Sequence, residues 1–146
     1  MLISFKDKTE IKTGPAELIS FLSDAERIAR CIPDSKGFAR IDDTSFSIIV
    51  NLGVGIVRGD FKMEGKVNTI SEDRLSYSLS GKGLGSEIRI RLDLAVEGSG
   101  NASVLSWNAD AELKGVISGV GEGILRGVAK EKIGGIVSNI RGSVEK

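Results

Sequence analysis

The chain has 146 residues, 20 basic and 20 acidic side chains, one cysteine and no histidine. This length predicts one domain, and the balanced charge gives no basic patch for nucleic acid, so we expect no nucleic-acid partner. The missing histidine excludes Ser-His-Asp and Cys-His nucleophile pairs and histidine metal sites. No apolar run is long enough to span a membrane, no secretion signal is visible, and a lone cysteine suits a reducing compartment, so we expect a cytoplasmic protein.

Two short helices are predicted to follow a first strand over residues 2–12. Pro15 suits a first helical turn, where its missing N–H is harmless. The run Ser23-Asp24-Ala25-Glu26 has the pattern of a capping box and predicts a second helix start. That helix should end near Cys31, because Pro33 disfavours helix in the residue before it.

From Gly37 the apolar period changes to two, which is typical of half-buried strands. The clearest example sets Ile88, Ile90, Leu92, Leu94 and Val96 against charged neighbours. Turn sequences such as Gly98-Ser99-Gly100-Asn101 separate the runs, so short connections predict an antiparallel meander with one packed face. By the same alternation four small residues face inward: Gly59, Gly65, Ala109 and Ala111.

The segment from Lys114 to Lys146 is predicted to form one long amphipathic helix that begins between Leu113 and Gly121. Glycine destabilises a helix interior, so its repeated use here indicates close approach by the sheet or by a ligand. The glycines are Gly115, Gly119, Gly121, Gly123, Gly127, Gly134, Gly135 and Gly142.

Several short motifs resemble the CoxG family of carbon monoxide dehydrogenase subunits, which belongs to the START-like (SRPBCC) helix-grip superfamily. They are Cys31-Ile32-Pro33, Gly59-Asp60-Phe61, Leu79-Ser80-Gly81-Lys82-Gly83 and Leu105-Ser106-Trp107-Asn108-Ala109-Asp110, followed by the glycine-rich helix start. The resemblance implies a single α+β domain over residues 1–146. In it, a curved antiparallel sheet of about seven strands surrounds a long C-terminal helix, with two short helices after the first strand.

The resemblance further implies a non-catalytic carrier of an apolar small molecule, an isoprenoid quinone, without a cofactor of its own. Its partner would be a molybdenum hydroxylase of the carbon monoxide dehydrogenase type. Family members that attach to membranes carry an extension, and with the chain ending at Lys146 we do not expect membrane contact. The cavity between helix and sheet is expected to be lined by Phe61, Met63, Tyr77, Leu79, Leu105, Trp107, Ala109, Val120, Gly123, Ile124 and Val128.

Other interpretations stay open at this point. The inward glycines and alanines border a cavity, or else let helix and sheet pack without a void. Tyr77 and Trp107 are core residues or ligand contacts, and Cys31 is interpreted as a buried, inert thiol. Lys130 and Lys132 belong to a solvated helix face or meet a polar ligand head at a pocket mouth. The alternative functions are a ligand-free assembly or recruitment factor and a START-like cyclase or hydrolase.

Overall fold

The computed structural model describes residues 1–145, so only Lys146 of the predicted C-terminal helix lies outside the described residues. These residues form seven strands, three α-helices and a short 3₁₀ turn. In chain order they are β1 (Leu2–Ile11), α1 (Pro15–Leu22), α2 (Ala25–Cys31), β2 (Ser35–Arg40), β3 (Ser45–Val54), β4 (Val57–Ser71), β5 (Arg74–Gly83), β6 (Ser86–Ser99), β7 (Ala102–Gly115), the turn Val116–Gly119 and α3 (Glu122–Val144).

All seven strands belong to one antiparallel sheet with the order β1-β7-β6-β5-β4-β3-β2. Strands β2 to β7 form the predicted meander, and β1 closes it by pairing along β7, with Phe5 opposite Ala109. Because successive side chains of a strand alternate between faces, the apolar set of every strand shares the concave side. The predicted α+β fold, a curved sheet around a long C-terminal helix, is confirmed.

The two short helices begin close to the predicted positions. Pro15 opens α1, and the side chain of Asp24 accepts hydrogen bonds from the backbone N–H groups of Glu26 and Arg27 at the start of α2. The cap of α2 is therefore Asp24 and not Ser23, whose hydroxyl instead donates to the Ile19 carbonyl oxygen at 2.8 Å. A side-chain acceptor at this position satisfies backbone donors that have no partner within the helix.

The long helix starts later than predicted. Lys114 and Gly115 still belong to β7, and a 3₁₀ turn intervenes before α3 begins at Glu122. Gly115 has φ +85°, a conformation that side chains other than glycine rarely adopt, and it turns the chain away from the sheet. The Ile117 N–H then donates to the Ser86 hydroxyl at 2.9 Å, which fixes the turn against β6. The spacing of Ile117 and Val120 is equally compatible with such a turn, so periodicity alone misplaced the helix start.

Close approach explains one of the α3 glycines. A Cβ at Gly135 would lie 2.7 Å from Cγ of Pro33, whereas Gly123, Gly127 and Gly134 face open space. On the sheet, the ring of Phe46 occupies the position over Gly65, and Leu84 covers Gly59 at 3.1 Å. The two inward strand glycines therefore permit close packing and leave no void where they stand.

The hydrophobic core is tightly packed at both ends of the sheet. At one end α1 packs on β6 and β7 and α2 packs on β2, and Ile11, Leu18 and Leu105 are almost fully buried. At the other end the hairpins and the 3₁₀ turn enclose Phe61 and Ile117. Among the described helices, none combines the length and apolarity that crossing a membrane requires.

The close contact at Gly135 predicts opposite effects for neighbouring substitutions. Gly135→Ala should lower the free energy of unfolding by about 1–3 kcal/mol, because the new methyl group meets the rigid Pro33 ring. Gly134→Ala, one residue earlier on the open side of α3, should raise it by about 0.5–1 kcal/mol through helix propensity. Urea denaturation of both variants measures the difference. Equal midpoints for the two variants would contradict the contact.

Candidate functional site

Between the two packed ends, the middle of the concave sheet face carries apolar side chains that are mostly only half-buried. Register places Leu79 beside Ile90 and Ile90 beside Ala111, and in the adjacent row Leu92 lies beside Ala109 and Ala109 beside Phe5. By the alternation of strand side chains they point toward the helix layer, and they are less completely buried than the residues at the two ends of the sheet. We call this set the central apolar surface: Phe5, Leu79, Ile90, Leu92, Trp107, Ala109 and Ala111.

Helix α3 lies across this concave face and is held by polar contacts near the two sheet edges. Beside β1, Arg126 donates to the Ser4 carbonyl oxygen at 3.3 Å, and its guanidinium lies 5.5 Å from the centre of the Phe5 ring. Near β3, the Lys132 ammonium donates to the Asn51 carbonyl oxygen at 3.4 Å. Within residues 126–132, α3 is therefore attached both to β1 and to β3.

The second half of α3 is held by hydrogen bonds to α2 and to β1. The Asn139 amide donates to the Cys31 carbonyl oxygen at 2.8 Å, and Arg141 donates to the Glu10 carbonyl oxygen at 3.0 Å. The fully buried side chains of the helix are Leu125 and Ile140, near its two ends. Apolar packing along its length is thus incomplete, and half-buried residues such as Val128 face the sheet between the two anchors.

The structure distributes the predicted cavity residues over three environments. Phe61, Met63, Tyr77 and Leu105 are buried in the packed core, whereas Leu79, Trp107 and Ala109 belong to the central apolar surface and Val120 and Val128 are half-buried.

The predicted inward positions of Gly123 and Ile124 are wrong. Ile124 is 54% exposed, and Gly123 is exposed as well. The prediction assumed one continuous helix from Ile117 onward. Ile117 instead lies in the 3₁₀ turn, and α3 begins only at Glu122, so the two segments do not share one helical phase. The inward side of α3 therefore begins with Leu125 and not with Ile124.

Four members of the central apolar surface were missing from the predicted cavity: Phe5, Ile90, Leu92 and Ala111. The signal for three of them was present, since Ile90 and Leu92 lie on the most regular strand and Ala111 follows Ala109 in phase. Phe5 lies on a strand with weak alternation, and only its pairing opposite Ala109 reveals its place.

Tyr77 and Cys31 are structural residues. The Tyr77 hydroxyl donates to the Leu22 carbonyl oxygen, and burial, with a smaller effect of the Asp24 charge, raises the pKa of Tyr77 above its usual value. Burial also raises the pKa of the Cys31 thiol, partly opposed by a hydrogen bond with Ser143. Both groups therefore stay protonated at neutral pH, and the predicted burial of Cys31 is confirmed.

Other depressions lie outside the space under α3. One of about 880 Å³ separates α1 and α2 from the last turns of α3 and is lined by Phe21, Arg27, Arg30 and Asn139, among others. Another of about 520 Å³ follows the outer sheet face between Glu64, Lys66, Arg89 and Arg91, and Leu79 and Ile90 also border it. Both are open to solvent and bordered by charged side chains, which suits them poorly to an apolar ligand.

The architecture defines a START-like helix-grip domain, and solved structures support this class. A conserved protein from Geobacillus kaustophilus superposes with a TM-score of 0.89 at 20% identity, over 97% of this chain and 95% of that one. A START superfamily protein from Mycobacterium smegmatis gives 0.72 at 19% identity, over 97% of each chain. The Zhui aromatase/cyclase from Streptomyces sp. R1128 gives 0.73 at 8% identity, over 99% and 94%. At these identities the likeness shows the fold alone.

The family model that describes the CoxG subunits of carbon monoxide dehydrogenase matches residues 8–145. The chain therefore belongs to this family, as its motifs predicted. No curated protein sequence matches it.

Tyr77 is the chain's one tyrosine, so phenolate absorbance reports this residue alone. Because the folded state raises its pKa, the hydroxyl's contribution to stability is complete below pH of about 10 and declines as pH rises further. We expect phenolate to appear above that pH only together with unfolding. Tyr77→Phe should lower stability by about 1–3 kcal/mol, since it leaves a buried carbonyl without its donor, and this loss should shrink at higher pH. A phenolate signal near pH 10 in folded protein would contradict the assignment.

Proposed function

We propose that this protein is a non-catalytic carrier of an apolar small molecule, an isoprenoid quinone, and serves a molybdenum hydroxylase of the carbon monoxide dehydrogenase type. The observation that carries the proposal is the central apolar surface, a set of seven apolar side chains on the concave sheet face that are mostly half-buried. Family membership supports an accessory role beside such an enzyme.

The proposed ligand suits the chemistry of this surface. All seven members are apolar, and Ala109 and Ala111 leave room beside the larger Leu79, Ile90 and Leu92. A quinone ring with part of its isoprenoid tail can leave water and pack against these side chains. Burial of about 300 Å² of apolar area contributes about 8 kcal/mol to binding. Association itself costs free energy, so a single site of this size reaches at most about micromolar affinity.

The chemistry of the site favours carriage over catalysis. None of the seven side chains is titratable or nucleophilic, and the nearby Tyr77 hydroxyl is engaged by the Leu22 carbonyl oxygen. Acid–base catalysis in a cyclase or hydrolase needs groups positioned to exchange protons with the substrate. Likeness to an aromatase/cyclase concerns the fold, which supports many activities.

Trp107, the chain's one tryptophan, provides the direct test. Trp107 is half-buried in the central apolar surface. Because quinones accept electrons from excited indoles, a menaquinone analogue with one isoprene unit should quench the fluorescence of Trp107, and the quenching should saturate. Ala109→Leu should weaken this binding about tenfold or more, because the added atoms take up ligand space. Asn108→Leu, one residue away on the exposed side of β7, is the matched control and should leave the affinity unchanged.

Thermal melts of both variants separate ligand displacement from unfolding. Quenching that rises linearly, with the same slope as for free tryptophan, would contradict the carrier function. If the protein nevertheless co-purifies with a molybdenum hydroxylase, a ligand-free assembly or recruitment factor becomes the better interpretation. Chemical conversion of the quinone on incubation would instead support an enzyme.

A further inference from the structure

Exposed apolar side chains from three separate segments meet at the end of the sheet where the 3₁₀ turn lies. Ile56, in the loop of the β3–β4 hairpin, is 89% exposed, and Leu84, in the loop of the β5–β6 hairpin, is 46% exposed. Val116, in the 3₁₀ turn, is 48% exposed. We call these residues, with one half-buried neighbour, the apolar tip: Ile56, Leu84, Val116 and Val120.

Contacts join these side chains into one surface. A Cβ at Gly55 would lie 3.4 Å from Cγ1 of Val120, so Val120 packs on the β3–β4 hairpin. The Val116 N–H donates to the Gly85 carbonyl oxygen at 3.1 Å, which holds the 3₁₀ turn beside the hairpin that carries Leu84. Single exposed apolar residues are common on protein surfaces, whereas a patch built by three segments is typical of an interaction site.

The hairpin loops present aliphatic side chains where turn formation favours other residues. Leu84 and Gly85 form a two-residue loop with φ of +53° and +73°. Such a loop is most often Asn-Gly, and a leucine is disfavoured in the left-handed conformation. In the other two-residue loop, Ile56 follows Gly55 at a position where asparagine, aspartate or serine is common. Turn formation therefore does not explain these two side chains.

Basic residues stand behind the apolar tip. Each of its three exposed members has a basic residue two positions away along the chain, about 6–7 Å in a strand: Arg58, Lys82 and Lys114. Lys82 and Lys114 line one hollow of about 400 Å³ together with Leu84. Their carboxylate partners, Glu87 and Glu112, each lie 3.3 Å away in exposed ion pairs, which are weak. Both lysines can therefore also bind an anionic group.

We propose that the apolar tip docks this protein on the surface of an anionic lipid bilayer. The aliphatic side chains enter the border of the hydrocarbon region, and the basic residues behind them meet the phosphate headgroups. Interfacial segments bury their apolar side about 5–10 Å deep and gain attraction from anionic lipids, which matches the spacing between tip and basic residues. The inference departs from the expectation drawn from the sequence, which concerned a membrane-attaching extension.

The features of the tip favour a bilayer over a protein partner. Its four members are all aliphatic, whereas the residues that dominate protein–protein binding are enriched in tryptophan, tyrosine and arginine. Ile56 protrudes almost free of protein contact, which suits insertion into a fluid layer. The choice of a bilayer also rests on the proposed carrier function, because an isoprenoid quinone dissolves in bilayers and must be collected there.

Co-sedimentation with quinone-free vesicles tests the docking, using phosphatidylcholine alone or an equal mixture with phosphatidylglycerol. Ile56→Asn should weaken binding to the mixed vesicles by about tenfold or more, because it removes an inserting side chain. Ile70→Asn is the matched control, since Ile70 is 59% exposed near the far end of β4, and should change the affinity by less than about twofold. Urea denaturation checks that both variants stay folded, as expected for exposed positions.

A pair of double variants tests the basic residues. K82Q/K114Q should weaken binding to the mixed vesicles by about tenfold or more and make it less sensitive to salt, with no effect on pure phosphatidylcholine. K6Q/K8Q, which removes the same charge from exposed positions on β1, controls for net charge and should retain most of the affinity.

The outcomes separate docking from carriage, because the vesicles contain no quinone and the Trp107 titration uses no vesicles. Wild-type protein that does not sediment with the mixed vesicles, or I56N that binds them as tightly as wild type, would overturn the inference and leave the carrier function standing. Light scattering that shows a wild-type dimer and an I56N monomer, without vesicle binding, would assign the apolar tip to a second copy of the chain instead.

Discussion

Closure of a seven-stranded concave sheet by one 23-residue helix is the constraint on which this structure depends. A helix packs along a single stripe, whereas the sheet presents apolar side chains over its whole concave face. Here α1 and α2 complete the core at one end, and the hairpins with the 3₁₀ turn complete it at the other. The middle is left to α3, whose fully buried side chains are Leu125 and Ile140.

The attachment of α3 follows from this shortage of apolar packing. Polar groups hold it at separate points: Arg126 on β1, Lys132 on the Pro33 loop and β3, and Asn139 on the end of α2. Hydrogen bonds to backbone carbonyls fix the position of a helix without requiring that the space beneath it be filled. The same arrangement therefore stabilises the fold while the central apolar surface stays mostly half-buried. Gly135 contributes by allowing α3 to lie directly on Pro33.

Local patterns predicted the parts of this protein that depend on local rules. The alternation of Ile88 to Val96 and the turn sequences gave the antiparallel sheet, since a period of two is read directly from the chain. Prediction from the sequence failed where the surroundings of a residue depend on residues far away in the chain. Glycines at 59 and 65 looked like cavity lining, but Leu84 and Phe46 fill those positions. The inward turn of Lys132 depends on acceptors 81 and 99 residues away, so no local pattern could reveal it.

The central claim is that the surface beneath α3 holds an apolar ligand, and the most direct measurement is mass analysis of an organic extract of protein purified from quinone-containing cells. The account predicts an isoprenoid quinone at close to one molecule per chain. Protein with a leucine in place of Ala109, purified in parallel, should yield far less. Recovery of well-folded wild-type protein with no quinone or other apolar molecule in its extract would contradict the account.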